Sequence, residues 1–114
     1  MTPSRITAIT CLLRLVAIVM ATPVAAQSLE GLSWAEQKCV LYRSAVADAL
    51  QIQGHDGLRA TFLAQNDAFI AGGCVDQGHV CPATDQEGAF ADLLTVMTMN
   101  EGMASTFVPF GCHE

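Results

Sequence analysis

Apolar residues recur at intervals of three and four positions in three segments of the chain, which is the pattern of helices with one buried face. The first segment opens with Ser33 and Glu36, whose side chains can cap the first turn of a helix. Gly54 can end it, because glycine adopts the left-handed cap conformation without a steric penalty. The pattern predicts a first helix over about residues 34–53. Its apolar positions are Ala35, Cys39, Tyr42, Val46, Ala49 and Leu50.

A second amphipathic segment follows after a short connection. Asp56 or Gly57 can start it, and the pair Gly72 and Gly73 can end it. Because only a few residues separate the first two helices, we expect them to lie antiparallel. The apolar side of the second helix comprises Leu58, Phe62, Phe69 and Ile70.

The third segment begins with another capping pattern, in which Thr84 is followed three residues later by Glu87. Gly102 is expected to end or kink this helix. The apolar stripe of the third helix consists of Phe90, Leu93, Leu94 and Met97.

An apolar tail follows the third helix, from Met103 to Glu114. Pro109 resists the continuation of a helix, and Phe107 and Phe110 need cover from water. We therefore expect the tail to run back over the helices. The predicted fold is all-α, a small three-helix domain with an apolar C-terminal tail.

The start of the chain has the three parts of a secretory signal peptide. Arg5 supplies the basic start, residues 6–19 form the apolar run, and small residues lead up to Ala26. We expect cleavage between Ala26 and Gln27, since small side chains there suit the signal peptidase. Residues 27–114 would then form one domain.

A retained membrane anchor is the competing interpretation, because about 18 uninterrupted apolar residues can span a bilayer. Arg14 and Pro23 interrupt the apolar run and favour removal of the segment. After cleavage we expect no stable membrane anchor. The sequence therefore predicts a periplasmic or secreted protein.

The predicted mature domain is acidic. Its strong bases are Lys38, Arg43 and Arg59, opposed by all eleven acidic residues of the chain, so its net charge is −8 with histidine neutral. Such a charge repels nucleic-acid phosphates and anionic lipid head groups. We therefore expect no nucleic-acid partner and no peripheral membrane role, whereas a basic partner stays open.

Cysteine usage indicates disulfide bonds. Cys11 lies in the predicted signal peptide, and the other four of the chain's five cysteines lie in the mature domain. Four cysteines in an exported domain of this size are typical of two disulfides, for which three pairings exist. The start of the first helix faces the end of the second in an antiparallel hairpin, and the tail is long enough to return along the third helix. The expected bonds are Cys39 to Cys74 and Cys81 to Cys112. Both ends of the loop between the middle cysteines would then be tethered.

Two sets of residues offer metal ligands, although we expect neither a metal nor another cofactor. One set is His79, Cys81, Cys112 and His113. It lacks the spacing of zinc motifs, and two disulfides would consume its thiols. Met99 and Met103 lie four residues apart and could bind Cu(I), but methionines at this spacing more often fill a core.

Catalytic candidates are few. His55 and Asp56 form an acid–base pair in a predicted turn, where a capping Asp and a solvated His are the simpler interpretation. No serine or cysteine stands in a nucleophile motif. We therefore expect no catalytic residue, with a small hydrolase using His55 and Asp56 as an alternative. Trp34 and Tyr42 could stack on a sugar or peptide, but we expect both to be buried.

One resemblance lies in the C-terminal part of the chain, from Ala68 onward. A helix ends near Phe69 and Gly72, Val80-Cys81-Pro82 follows, and the chain finishes on an apolar helix and Pro109-Phe110-Gly111-Cys112. This arrangement resembles the exported helical immunity proteins that neutralise amidase toxins of type VI secretion systems. The third helix and tail are shorter here than in that family, and no functional residue can be carried over. The resemblance implies an inhibitor of a cell-wall amidase.

The sequence favours, ahead of that inhibitor, a non-catalytic binding or accessory protein of the periplasm, whose partner is another protein. We expect recognition through residues 75–80, because a loop with both ends tied loses little entropy on binding. Its polar interior should face solvent. The expected contact residues are Asp76, Gln77 and His79, and a solvated connector without function is the alternative.

Overall fold

The computed structural model describes residues 29–113, so the predicted signal peptide lies outside the described residues. Three α-helices follow one another: α1 over Trp34–Gln53, α2 over Ala60–Ala71 and α3 over Asp85–Asn100. This architecture confirms the predicted all-α fold. Within residues 29–113, no helix combines the length and apolar character that crossing a membrane requires.

Helix α1 begins and ends where the sequence predicts. The Ser33 hydroxyl accepts a hydrogen bond from the Glu36 backbone N–H at 3.2 Å, and the Glu36 carboxylate accepts one from the Ser33 N–H at 3.4 Å. Gly54 ends the helix with a positive φ of 79°. Tyr42 is fully buried, as expected. The expectation for Trp34 is wrong: this side chain is 49% exposed, because it stands on the first residue of the helix, beyond the packed part of α1.

Helix α2 begins three to four residues later than the predicted start at Asp56 or Gly57. Residues 55–58 form a turn instead, in which the Leu58 N–H donates to the His55 carbonyl at 3.1 Å. Arg59 then caps the helix with an extended backbone, and its N–H donates to the Glu87 carboxylate rather than within a helix. The predicted end is confirmed, since Gly72 follows the last helical residue.

One of the two hydrogen bonds of the predicted capping box is present at the start of α3. The Thr84 hydroxyl accepts from the Glu87 N–H at 3.0 Å, which is the first half of a capping box. The Glu87 carboxylate does not return to the Thr84 backbone; it accepts from the Ala83 N–H at 2.8 Å and from Arg59. A charged partner outside the helix therefore takes the place of the local cap.

The core is built around two aromatic groups. Tyr42 of α1 meets Phe69 of α2 edge-on, with ring centroids 5.1 Å apart, and contacts Phe107 of the tail at 5.9 Å. Phe62 of α2 packs between Phe90 of α3 at 6.0 Å and Phe110 of the tail at 5.9 Å. The tail thus runs back over the helices, as predicted, and contributes to both groups.

Two disulfides have the predicted pairing. Cys39 is bonded to Cys74 with Cα atoms 5.4 Å apart, and Cys81 is bonded to Cys112 with Cα atoms 4.6 Å apart. The first bond places the start of α1 beside the end of α2, the arrangement of an antiparallel pair. Both bonds are compatible with a protein of an oxidising compartment.

The tail also pairs with the loop that precedes α3. The Val80 N–H donates to the Pro109 carbonyl, and the Gly111 N–H donates to the Val80 carbonyl, each at 3.0 Å. These bonds form an isolated parallel bridge between Val80 and Phe110. The approach is close: a Cβ atom on Gly111 would lie 3.0 Å from the Gly78 Cα.

Candidate functional site

The loop between the two middle cysteines presents its polar residues to solvent. Asp76, Gln77 and His79 are exposed, and Val75 is 70% exposed. Val80, in contrast, is buried in the core. The loop therefore has a solvent-facing middle and a buried end.

Covalent and hydrogen bonds hold this loop from several sides. Disulfides tie Cys74 and Cys81 at its ends. The Gln77 side-chain amide donates to the Phe107 carbonyl of the tail at 3.3 Å. The His113 ring also packs near Gly78, since a Cβ there would lie 3.5 Å from the His113 Nε2. Gln77, one of the expected contact residues, is exposed and also anchors the loop to the tail.

A cavity of about 300 Å³ lies between this loop and helix α2. The two other proposed contact residues, Asp76 and His79, line it. Buried Phe69 and Val80 supply its apolar part, whereas exposed Gln65 and Ala68 lie with Asp76 and His79 at its solvent side. We name this site the loop cavity. Its lining residues are Gln65, Ala68, Phe69, Asp76, His79 and Val80.

Sequence reasoning named two of the six residues that line the loop cavity. Asp76 and His79 were found because a polar loop between two cysteines suggests a tethered recognition segment. Gln65 and Ala68 were missed, because nothing in the spacing of α2 shows which of its exposed residues face the loop. The Cys39–Cys74 disulfide, which joins the loop to the end of α2, is the one signal that pointed to that surface.

The charge at the loop cavity is negative and unpaired within the described part of the chain. Among residues 29–113 the Asp76 carboxylate makes no ion pair; the ion pair found there joins Arg59 and Glu87. The Lys38 ammonium lies 5.2 Å from the centre of the Phe107 ring. Asp76 therefore offers an exposed carboxylate beside an apolar surface.

The Arg59–Glu87 pair lies outside the loop cavity and connects α2 to α3. The Glu87 carboxylate is fully buried and accepts from the Arg59 guanidinium at 2.9 to 3.1 Å. These hydrogen bonds lower the pKa of the Glu87 carboxyl from 4.5 to about 2, and burial opposes this effect. The sequence carried one signal of this pair: Arg59 stands at the start of a helix, where a positive charge is unfavourable without an acidic partner.

The proposed metal ligands are only partly brought together. Cys81 and Cys112 are bonded to each other, and the rings of His79 and His113 have centroids 5.5 Å apart. Met103 is buried in the core while Met99 is half exposed. Within residues 29–113 there is no group of three or more His, Cys, Asp or Glu side chains able to hold a metal ion.

The acid–base pair considered from the sequence, His55 and Asp56, lies in the turn between α1 and α2. Both residues are exposed, and neither lines the loop cavity. The six residues that line the cavity include no serine, threonine or cysteine. The cavity consequently offers an acid and an imidazole but no side-chain hydroxyl or thiol nucleophile.

The segments that carry the resemblance to immunity proteins lie side by side in the fold. Val80 pairs with Phe110, and the neighbouring Cys81 is bonded to Cys112. Relatives that would test this resemblance were not found. The chain matches no protein-family model, and no curated protein or solved structure is significantly similar to it.

Proposed function

We propose that this chain is a small exported, non-catalytic binding protein that recognises a protein partner in the periplasm through the loop cavity. The observation that carries this proposal is the position of Asp76 and His79. Two exposed polar side chains from one short loop line the same concave surface, above buried Phe69 and Val80. Concave sites with an apolar base and a few polar groups are typical of binding sites.

The rigidity of the loop supports recognition. Disulfides tie both of its ends, and the Val80 and Gln77 hydrogen bonds fasten it to the tail. A loop held in this way loses less conformational entropy when it binds, so more of the contact energy contributes to affinity. Exposed residues on loops fixed to a rigid scaffold are frequent binding residues.

The non-catalytic part of the proposal rests on the composition of the site. Acyl-transfer or hydrolytic chemistry through a covalent intermediate needs a nucleophile beside a base. The lining residues supply no such hydroxyl or thiol. The His55 and Asp56 alternative receives no support from position, because both side chains lie in an open turn.

The periplasmic location rests on the predicted signal peptide together with the two disulfides. Intact-mass analysis of the exported protein tests it. The expected species begins at Gln27 and has lost four hydrogen atoms on oxidation to two disulfides. A protein that retains residues 1–26 after export would contradict cleavage.

Recognition is tested by capture from periplasmic extract with the oxidised protein and its Asp76→Ser/His79→Ser variant in parallel. The matched control is Asp67→Ser/His55→Ser, which removes one exposed acid and one exposed histidine outside the loop cavity. A partner captured by the parent and the control, lost with the first variant and bound again after purification, supports the proposal. Equal capture by all three proteins contradicts it, provided that their melting temperatures agree.

A narrower form of this function is inhibition of a cell-wall amidase. The observation that favours it is that Pro109-Phe110-Gly111-Cys112, which carries the resemblance, also supports the loop through the Val80 bridge. Purified protein should then slow the hydrolysis of peptidoglycan fragments by an amidase toxin of a type VI secretion system. The inhibitor hypothesis is contradicted if the rate of hydrolysis is unchanged by an equimolar amount and by a tenfold excess of this protein over the amidase, while the protein captures a different partner.

A further inference from the structure

We propose that the loop cavity receives an arginine side chain of the partner, whose guanidinium pairs with the Asp76 carboxylate. This inference rests on the proposed function and adds the chemistry of the group that is recognised. It follows from three features of the site: its size, the arrangement of its apolar and polar residues, and its charge.

The size suits one long side chain. A cavity of about 300 Å³ stands at the lower end of the range for small-molecule sites, which begins at about 300 Å³ and reaches about 1,000 Å³. It has room for one long side chain, and a small molecule in it would have to be among the smallest ligands of that range. A side chain that projects from a partner can enter it while the partner's backbone stays outside.

The arrangement suits an amphipathic side chain. Phe69 and Val80 are buried and give an apolar base, whereas Asp76 and Gln65 are exposed and lie towards solvent. Arginine has an apolar stem and a polar, charged head, so it can cover apolar surface while its head stays near water. The Asp76 carboxylate and the Gln65 amide oxygen are both able to accept from a guanidinium.

The charge suits a cation. Within residues 29–113 no base pairs with Asp76, and the predicted mature domain carries a net charge of −8. A domain of this charge raises the local concentration of basic partners and repels acidic ones. Arginine fits better than lysine, because its planar guanidinium can donate two hydrogen bonds to one carboxylate and is less strongly hydrated.

The test uses N-acetyl-arginine amide as the probe and N-acetyl-citrulline amide as its neutral, nearly isosteric control. Each is titrated into the ¹⁵N-labelled, oxidised protein, and backbone amide shifts are followed by NMR. We expect saturable shifts at Phe69, Asp76 and His79 with the arginine probe. Citrulline should bind about fivefold more weakly, the loss expected when an exposed ion pair is removed.

Two variants connect the binding to the carboxylate. Asp76→Asn should weaken the arginine probe about fivefold and leave citrulline unchanged, whereas Asp67→Asn, an exposed acid of α2 outside the cavity, should change neither. Equal affinity for the two probes, or shifts confined to residues away from the cavity, would overturn the inference.

Failure of this inference differs from failure of the proposed function. If Asp76→Ser/His79→Ser loses the partner but the two probes bind equally, the loop cavity is a recognition site that does not select a cation. If the arginine probe binds selectively but the variant still captures the partner, the cavity binds cations and takes no part in recognition of that partner.

Discussion

Arg59 and Glu87 join the start of α2 to the start of α3 although they stand 28 residues apart in sequence. The Arg59 backbone N–H donates to the buried Glu87 carboxylate at 2.7 Å, and its guanidinium donates to both carboxylate oxygens. Ala83 adds a further backbone N–H at 2.8 Å. One carboxylate thus satisfies donors from two helix starts, and it orients α2, which carries one side of the loop cavity.

The first prediction concerns replacement of this carboxylate. Glu87→Gln keeps the volume of the side chain but removes the charge and places an amide donor opposite the N–H groups of Arg59 and Ala83. We expect the free energy of unfolding to fall by about 2 to 3 kcal/mol. Glu36→Gln is the matched control, since Glu36 caps α1 at an exposed position and should cost less than about 1 kcal/mol. Urea unfolding of both oxidised variants at pH 7 measures the difference, and equal losses would contradict the buried role of Glu87.

The pH dependence of stability follows from the same pair. Because the pKa of Glu87 falls from 4.5 to about 2 on folding, its ionised form is stabilised in the folded protein. This contribution is fully present above about pH 4.5 and is lost as the pH falls towards 2. The gap in unfolding free energy between the parent and Glu87→Gln should therefore stay constant from pH 7 to pH 5 and narrow below pH 4.5. A gap that persists unchanged at pH 2.5 would show that the pKa is not lowered.

Residues at the ends of α1 predicted correctly where this helix begins and ends. The capping box at Ser33 and the glycine at position 54 determine the ends of α1, and the observed helix matches the predicted one. The disulfide pairing was also accessible, because it follows from the antiparallel arrangement of two helices of known rise per residue. The helix ends depend on residues that are near in sequence, and the disulfide pairing depends on a simple geometric rule, so both can be predicted without tertiary contacts.

Tertiary contacts account for the predictions that were wrong. The predicted start of α2 is too early because the Arg59 backbone N–H donates to the buried Glu87 carboxylate, a partner that the local pattern does not reveal. Glu87 was assigned to a capping box for the same reason. Only two of the six residues that line the loop cavity were expected contact residues, because Gln65 and Ala68 face the loop through the packing of α2 against α1 and the tail. The spacing of apolar residues along one helix does not show which neighbouring segment its exposed residues face.

The two disulfides should differ in their effect on stability. Their sequence separations are 35 and 31 residues, so the chain-entropy model gives each about 4 kcal/mol. Cys74 is buried whereas Cys112 is exposed, and the Cys39→Ala/Cys74→Ala variant therefore also loses buried sulfur contacts. We expect this variant to be less stable than Cys81→Ala/Cys112→Ala by roughly 1 kcal/mol. Urea unfolding without reductant measures both, and the reverse order would contradict the reasoning.

One substitution, glycine to alanine, should have opposite effects at two positions. At Gly111 the added methyl group would lie 3.0 Å from the Gly78 Cα and 3.1 Å from its carbonyl oxygen. These are backbone atoms of a loop tied at both ends, so the tail must shift and strain the hydrogen bonds to Val80.

We expect Gly111→Ala to lower the free energy of unfolding by about 1 to 3 kcal/mol, the usual cost of overpacking. Gly88 is the control: it lies inside α3, and apart from its chain neighbours and the backbone of its own helix a Cβ there meets no atom within 4 Å. Gly88→Ala should raise the free energy of unfolding by about 0.5 to 1 kcal/mol, because alanine has the higher helix propensity. Gly111→Ala should also weaken the arginine probe, since the tail supports the loop cavity through Val80, whereas Gly88→Ala should not. Changes of the same sign in the two variants would show that the tail does not press against the loop as described.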